Sequence, residues 1–141
     1  IGHYVDDGGD WAWPTNKGYK ITSGFTWRWG KHHDAIDIAY LPLNSPIYAA
    51  RGGTVVTAKR GTGSGWTLGN YVVIDHGNGI YTLYAHLNTI SVSAGQTVAK
   101  GKVLGGMGQT GQATGVHLHF GAFYGMPYNG GRAFNPLELY R

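Results

Sequence analysis

Two histidines stand two residues apart in the mostly apolar run 115–121, and they are the residues of this chain best placed to do chemistry. The run reads as a β-strand, on which residues i and i+2 point to the same side. His117 and His119 would then project together from one face of a sheet. Neutral imidazole is the commonest metal ligand in proteins and titrates near neutral pH, so the pair can supply a ligand and an acid or base side by side. The alternative is two histidines that form hydrogen bonds on a half-exposed strand.

A second candidate pair, His33 and Asp37, lies four residues apart at the entry to another apolar strand. Gly30 just before the pair favours a loop over a helix. A loop histidine and a strand aspartate can converge on one metal ion. A carboxylate that points inward from an apolar strand needs a cation or several hydrogen-bond donors, which favours the metal site. The alternative is a loop histidine and a strand-edge aspartate that are bonded to the backbone.

Together the two pairs would offer three metal ligands, namely His33, Asp37 and one of the two strand histidines. Three protein ligands leave a fourth position for water, as catalytic zinc sites do, and zinc lowers the pKa of that water toward about 7. The general base must then be a histidine, because the only glutamate, Glu138, lies outside these motifs. The candidates are His86 and the strand histidine that is not a ligand. The remaining histidines are expected to be structural or exposed: His3, His32 and His76.

The elements that must position these side chains read as β-strands. The chain has 141 residues, of which 42% are hydrophobic and 25 are glycine, and no window has a convincing helical period. These properties predict one mostly β domain. Strands are expected at 20–25, 46–50, 54–59, 70–76 and 80–87. Residues 76–79 carry the signal of a tight hairpin turn, and Tyr84 and His86 are expected to share a face of the strand that follows it.

Charge and composition exclude several classes of function. The net charge is +4, and three of the seven acidic residues lie in the first ten positions: Asp6, Asp7 and Asp10. The basic remainder suits an anionic partner, but its charges are scattered rather than clustered, so no nucleic acid is expected. No apolar run reaches membrane length, and no membrane insertion is expected. Cysteine is absent, which leaves histidine and carboxylate as metal ligands. A chain that starts at Ile1 without a secretory signal indicates a mature form or an excised domain.

Residues 33–37, 84–87 and 117–119 resemble, in order, the three motifs of the lysostaphin-type zinc endopeptidases of bacterial cell walls. The presence of all three motifs in order and at this spacing makes the match highly specific. The likeness extends from about residue 21 to 140 and includes Thr110 and Gly111. It implies a single mostly β domain with a largely antiparallel core and a substrate groove walled by loops. It implies one Zn²⁺ per chain, held by His33, Asp37 and His119. It also implies two catalytic histidines, His86 and His117.

Of the two catalytic candidates, His117 is expected to be the general base, because it shares a strand face with the ligand His119. His86 would then orient or stabilise the oxyanion. Two positions depart from the family pattern. Ala35 stands in place of the usual glycine, and Trp27 stands where the lysostaphin branch has a tyrosine that assists the oxyanion. The oxyanion donor is therefore left without an assigned tyrosine.

The predicted function is a peptidoglycan hydrolase that uses zinc-activated water to cleave peptide bonds in the stem or cross-bridge of the bacterial cell wall. One alternative is a metal-free relative that binds the wall or activates an amidase, and another is a zinc peptidase of elastin-like or Gly-rich proteins. Degenerate relatives usually lack ligands, whereas this chain keeps all three. The expected partners are peptidoglycan peptides. The protein is expected to be a monomer that acts outside the cell or in the wall, delivered by secretion or by a phage.

Bond specificity is expected to reside in the loops around the site. Three aromatic residues on three predicted loops are candidates for substrate binding: Trp66, Trp27 and Tyr124. Trp66 could instead cover the core, since large rings are often buried. Residues 1–20 are expected to form a lead-in segment packed on the domain, and residues 21–141 to form the zinc endopeptidase domain.

Overall fold

The computed structural model describes residues 11–25, 27–28, 31–60 and 67–140. In these ranges the chain forms thirteen strands and one short 3-10 helix, Pro136–Tyr140. The strands are β1 (Lys20–Ser23), β2 (Trp27–Arg28), β3 (Lys31–His32), β4 (Ile36–Ala39), β5 (Pro46–Tyr48), β6 (Gly53–Lys59), β7 (Asn70–Asp75), β8 (Ile80–Leu87), β9 (Thr89–Ile90), β10 (Thr97–Val98), β11 (Val103–Gly106), β12 (His117–Tyr124) and β13 (Arg132–Phe134). No helix among the described residues is long and apolar enough to cross a membrane.

The described strands form one large antiparallel sheet and two small ones. The large sheet has the order β1-β4-β12-β8-β7-β6-β10, and β13 pairs with the second half of β12. The small sheets are β5-β11-β9 and β2-β3. The prediction of a mostly β, largely antiparallel domain is confirmed. In this order β12 lies between β4 and β8, so the three segments that carry the motifs are neighbours.

Alternation along β4 and β12 decides which side chains reach solvent. Every second residue of these strands enters the main core: Ile36, Ile38, Leu118 and Phe120. Burying one such side chain stabilises the fold by roughly 1.5–3 kcal/mol, so the apolar set determines which face is inward. Asp37, His117 and His119 lie between these residues and therefore project from the opposite face.

The turn between β7 and β8 follows the sequence signal. Gly77, Asn78 and Gly79 all have positive φ, at 85°, 55° and 79°. Glycine has no Cβ to clash in this region, and asparagine tolerates it better than most residues do. The backbone N–H of His76 donates to the carbonyl of Ile80 across the turn, at 2.9 Å. The hairpin holds β7 against β8 along the middle of the large sheet.

The described part of the lead-in segment is bonded to the domain. The N–H of Ala12 donates to the carbonyl of Ala50 at 2.8 Å, and the hydroxyl of Tyr140 donates to the carbonyl of Ala12 at 2.7 Å. Two tryptophans of the segment pack against the main core, Trp11 and Trp13. The first ten positions of the predicted 1–20 segment lie outside the described residues.

Candidate metal centre and catalytic cleft

Three side chains meet on the face of the large sheet that points away from the main core. His33, Asp37 and His119 each offer one ligand atom, and these atoms lie within 4.8 Å of one another. Asp37 and His119 sit directly opposite each other in the β4–β12 pair. The Oδ1 atom of Asp37 is 3.2 Å from Nδ1 of His119 and 3.6 Å from Nε2 of His33. The predicted ligand set is thus brought together by strand register plus one loop histidine.

The geometry and chemistry of this group fit a zinc ion. Ligands at about 2.0–2.1 Å in a tetrahedral site lie about 3.3 Å from each other, close to the two distances measured to Asp37. The carbonyl of Gly24 lies 3.0 Å from Nδ1 of His33. Because a carbonyl can only accept, Nδ1 carries the proton and Nε2 of His33 is left to bind a metal.

The carboxylate of Asp37 is ionised, as a metal ligand must be. Burial by itself would raise its pKa, but the hydrogen bond from His119 and the close imidazoles of His33 and His117 outweigh this effect and hold the pKa well below the ordinary 3.8. A negative charge held among imidazoles on a partly buried sheet face has a strong preference for a cation beside it.

His117 neighbours the ligand group without belonging to it. Its Nε2 atom is 3.7 Å from Oδ1 of Asp37. Its Nδ1 atom lies 3.0 Å from the carbonyl of Gly115, which can only accept a hydrogen bond. In the neutral form, His117 therefore presents an unprotonated Nε2 toward the centre of the site.

His86 reaches the site through a local break in the pleat of β8. Its φ is +64°, a left-handed conformation that costs a non-glycine residue roughly 1–2 kcal/mol. The pairing of β7 with β8 shifts register at this point, between Asn70 and Val72. Because of this bulge, Tyr84 and Leu87 both enter the main core although they are three residues apart. The expectation that Tyr84 and His86 share a face is wrong, since His86 lies on the cleft side with His117 and His119.

Two backbone groups hold His86 in this conformation. Its N–H donates to the carbonyl of Leu68 at 2.8 Å, and its Nδ1 donates to the carbonyl of Thr110 at 2.7 Å. Burial lowers its pKa to about 4, and the neighbouring His117 and His119 lower it too, against the raising effect of the Thr110 carbonyl. His86 is therefore neutral near pH 7, with an unprotonated Nε2.

The two non-ligand histidines form a close pair beside the ligand group. The ring centroids of His86 and His117 are 4.8 Å apart, and those of His86 and His119 are 5.6 Å apart. A cleft of about 440 Å³ opens over them. Besides the five site residues, its walls come from loops: Asp34, Thr67, Leu68, Gln112, Ala113, Thr114 and Tyr128. The three candidate metal ligands, the two further histidines and the cleft thus lie on one face of the sheet.

Comparison with known proteins assigns this arrangement to a family. Residues 31–136 match the profile of peptidase family M23. The chain belongs to this family. Peptidoglycan DD-endopeptidase ShyA of Vibrio cholerae is 35% identical over 151 residues, covering 96% of this chain and 34% of that protein. The chain thus spans about a third of the length of this curated relative.

Solved structures show the same fold as this M23 domain. The catalytic domain of the antimicrobial peptidase lysostaphin from Staphylococcus simulans matches with a TM-score of 0.76 at 27% identity, covering 87% of this chain and 93% of that one. A zinc containing peptidase from Vibrio cholerae matches with a TM-score of 0.69 at 35% identity, covering 78% of this chain and 35% of that one. The resemblance inferred from the three motifs is confirmed.

The structure does not place the three predicted substrate-binding residues together in the cleft. The backbone of Trp27 lies in β2, and Trp66 falls outside the described residues. Tyr124 is at the far end of β12, where it stacks on Phe134 with ring centroids 4.2 Å apart, and it is not among the residues that line the cleft. The aromatic residue that this region contributes to the cleft is Tyr128, which is 62% exposed.

Two residues of the site escaped the sequence interpretation. Tyr128 lies in a Gly- and Asn-rich loop and has φ +62°, and nothing in its local sequence separates it from Tyr124. Thr110 lies outside the three motifs, yet its carbonyl is the hydrogen-bond partner of His86. Although 62% of the Tyr128 residue is exposed, the protein around its hydroxyl partly excludes water. This partial burial and the nearby charge of Asp34 raise the pKa of Tyr128, so its hydroxyl stays protonated and can donate hydrogen bonds in the cleft.

Proposed function

We propose that this M23 domain is a peptidoglycan endopeptidase that hydrolyses peptide bonds in the stem or cross-bridge of the bacterial cell wall. The observation that carries the proposal is the grouping of His33, Asp37 and His119 beside the proton-accepting Nε2 atoms of His86 and His117 in one cleft. The substrate class rests on the name of the relative ShyA, a peptidoglycan DD-endopeptidase.

The metal in this proposal is one zinc ion per chain, held by His33, Asp37 and His119. The donor set of two imidazoles and one carboxylate suits zinc, and a solved structure at 35% identity is titled a zinc containing peptidase. When bound, zinc supplies a Lewis acid that polarises a carbonyl and lowers the pKa of a water molecule. Three protein ligands leave one position for that water and the substrate.

His117 is the proposed general base. Its Nε2 atom lies 3.7 Å from the ligand oxygen of Asp37, so it sits beside the ligand group with a lone pair directed into the site. The Gly115 carbonyl fixes the proton on Nδ1. The neutral imidazole would accept a proton from water at Nε2 and become an imidazolium. The imidazolium can then give this proton to the leaving amine, so one group serves first as base and then as acid.

His86 is proposed to orient the attacking water by accepting a hydrogen bond from it at Nε2. Its low pKa keeps Nε2 unprotonated near neutral pH, which favours accepting a hydrogen bond over donating one to an oxyanion. The oxyanion donor stays unassigned among the described residues. Tyr128 contributes a tyrosine hydroxyl to the cleft wall, and Tyr128→Phe tests whether this hydroxyl is the donor.

A metal-free role as a wall-binding or amidase-activating module has little support. All three candidate ligands are present and close together, and both additional histidines face the same cleft. A module selected only for binding has no need for an ionised aspartate among imidazoles. The zinc-peptidase alternative with a Gly-rich protein substrate shares this site and differs only in the occupant of the cleft.

Digestion of purified peptidoglycan tests the proposal directly. Sacculi of several peptide chemistries would be incubated with zinc-loaded protein, and the soluble fragments identified by mass spectrometry. We expect new amino and carboxyl ends within stems or cross-bridges, and far fewer of them with His117→Ala over the same time. Cleavage of soluble elastin-like protein with intact sacculi would instead assign the Gly-rich protein substrate, and products cut in the glycan strand would overturn the peptidase assignment.

The proposed substrate places the protein outside the cytoplasm, at or in the bacterial wall, reached by secretion or by phage delivery. Its proposed partner is the peptide portion of peptidoglycan, approached by a monomer, because the described ligand set and both additional histidines come from one chain. Sedimentation of the zinc-loaded protein at assay concentration tests the oligomeric state, and a stable dimer would contradict it.

A further inference from the structure

The loop before β12 lies tightly against the segment before β7, next to His86. The N–H of Gln112 donates to the carbonyl of Thr67 at 3.0 Å. A Cβ added to Gly111 would collide with the backbone of Gly69. The two glycines have φ values of +75° and +66°, so a side chain at either position would be both strained and too large. The backbones of the two segments therefore meet without intervening side chains.

Thr110 is the residue that links this contact to the sheet. Its hydroxyl donates to the carbonyl of Leu87, the last residue of β8, at 2.7 Å. The same oxygen accepts the backbone N–H of Asn70, the first residue of β7, at 3.1 Å. The hydroxyl thus donates one hydrogen bond and accepts another. Together these bonds fix the side chain and backbone of Thr110 against the ends of β7 and β8.

The carbonyl of the same residue is the acceptor for His86, at 2.7 Å from Nδ1. A carbonyl cannot donate, so this contact requires the proton on Nδ1 and leaves Nε2 as an acceptor in the neutral ring. Nε2 is the atom that faces the ligand group. The hydroxyl of Thr110 thus determines where its carbonyl lies, and the carbonyl determines the tautomer and the direction of His86.

We propose that Thr110 is a positioning residue for His86, whose hydroxyl clamps the loop so that its carbonyl holds the Nδ1 proton and aims Nε2 into the site. The consequence for catalysis rests on the proposed function, whereas the consequence for the tautomer does not. A purely structural role is the competing explanation, because the hydroxyl also ties β7 to β8. The two explanations differ in what happens at the ring of His86.

Three variants distinguish the positioning role of Thr110 from a purely structural role. Thr110→Val keeps the size and shape but removes the hydroxyl, and Thr110→Ser restores it. Thr82→Val is the control. Thr82 is a fully buried threonine of β8, its hydroxyl lies 2.6 Å from Nε2 of His76 and 2.8 Å from the hydroxyl of Tyr84, and it is not among the residues that line the cleft. All three would be measured as zinc-loaded proteins for melting temperature, for kcat and KM on peptidoglycan fragments, and for the ¹⁵N shifts of His86.

We expect Thr110→Val to lower kcat roughly tenfold or more with little change in KM, as displaced supporting groups do. The ¹⁵N shifts should show His86 leaving the Nδ1–H tautomer, and Thr110→Ser should restore both properties. Thr82→Val should lower the melting temperature while kcat per folded molecule and the His86 shifts stay as in the wild type.

Two results would overturn the proposal. One is a Thr110→Val protein with a lower melting temperature but unchanged kcat and unchanged His86 shifts, which would make the hydroxyl a tie between strands only. The other is an Nε2–H tautomer of His86 in the wild type, which is decisive even if no Thr110 variant folds. A wild type that leaves peptidoglycan intact but shows the Nδ1–H tautomer, lost in Thr110→Val, would remove the proposed function and leave the positioning role standing.

Discussion

His76 lies in the turn that leads into strand β8, His86 lies near the other end of that strand, and at first sight they have the same surroundings. Each donates Nδ1–H to a backbone carbonyl, that of Gly52 at 3.0 Å and that of Thr110 at 2.7 Å. Burial lowers the pKa of both rings. They differ at the second nitrogen, because Nε2 of His76 accepts a hydrogen bond from a buried threonine, whereas Nε2 of His86 has no hydrogen-bond partner among the described residues.

This difference distinguishes His76 from the proposed catalytic histidine His86 better than burial or the direction of the pKa shift does. At the hairpin end, both nitrogens of the ring are satisfied, so the ring joins strands and has nothing left to offer a ligand. At the cleft end, one nitrogen is fixed and the other is open, next to the ligand group. Backbone strain follows the same division, since His86 has φ +64° and His76 is not among the residues with positive φ.

The largest expected effect comes from removing a ligand of the proposed zinc ion. His119→Ala deletes one of three ligands, so zinc content should fall from one ion per chain to near zero and peptidoglycan cleavage should disappear. Elemental analysis after gel filtration measures the metal, with His76→Ala as the control that keeps one zinc. Full zinc retention in His119→Ala would remove His119 from the ligand set and with it the assigned geometry.

Replacing His86 or His117 should impair the chemical step without removing the metal. His86→Ala and His117→Ala should each keep the zinc ion and the fold but lose kcat/KM by roughly 10²-fold or more, because each removes a group that acts in the transition state. Zinc content and kinetics on the same preparation provide the measurement. If His117→Ala instead loses zinc while it keeps activity per bound metal, the base assignment passes to His86.

His76→Ala should produce the reverse pattern. Thr82 is fully buried, and the loss of the His76 ring removes one of the two side-chain hydrogen bonds of its hydroxyl, which costs about 1–3 kcal/mol of unfolding free energy. Activity per folded molecule should stay at the wild-type level, since the ring is at the opposite end of β8 from the cleft. Urea denaturation and kcat/KM together test this. A folded His76→Ala protein with impaired catalysis would erase the contrast between the two histidines.

Strand periodicity explains why part of this site could be predicted from sequence. His117 and His119 stand two apart in an apolar strand, and Asp37 lies between two buried isoleucines, so alternation alone places all three on one face. The Asn78-Gly79 signal likewise predicts the hairpin that aligns β7 with β8. These features are local, and each follows from one or two residues and their spacing.

The position of His86 could not be predicted in this way. Alternation assigns it to the core face beside Tyr84, and a non-glycine residue gives no local sign of positive φ. The groups that stabilise the bulge, the carbonyls of Leu68 and Thr110, come from segments about twenty residues away on either side. Long-range backbone contacts of this kind have no period to detect. The substrate role of Trp66 stays a prediction, because that residue lies outside the described ranges.

The unfolding free energy should depend on pH through His76. In the folded chain, burial lowers the pKa of His76 below 6.5, Arg51 lowers it too, and the Gly52 carbonyl and Asp75 oppose them. The unfolded chain therefore binds more protons below pH 6.5, so the unfolding free energy falls as the pH falls through this range. His86 acts in the same direction in the metal-free chain. His76→Gln should thus show a shallower loss of stability between pH 6.5 and 5 than the wild type, both measured metal-free by urea denaturation, and equal slopes would contradict it.

The smallest expected effect isolates the strain at His86. In both His86→Gly and His86→Ala the ring and its hydrogen bond to Thr110 are lost, so the two variants differ only in the backbone preference at φ +64°. Alanine pays roughly 1–2 kcal/mol in this region, and glycine pays instead about 0.5–1 kcal/mol of extra chain entropy. His86→Gly should therefore be more stable than His86→Ala by up to about 1.5 kcal/mol, with both strongly impaired in activity. Ala85→Gly, at the neighbouring residue without positive φ, is the control and should lose stability relative to wild type. If glycine proved the less stable residue at both positions, the bulge would hold no strain, and the cleft end of β8 would be as relaxed as the hairpin end.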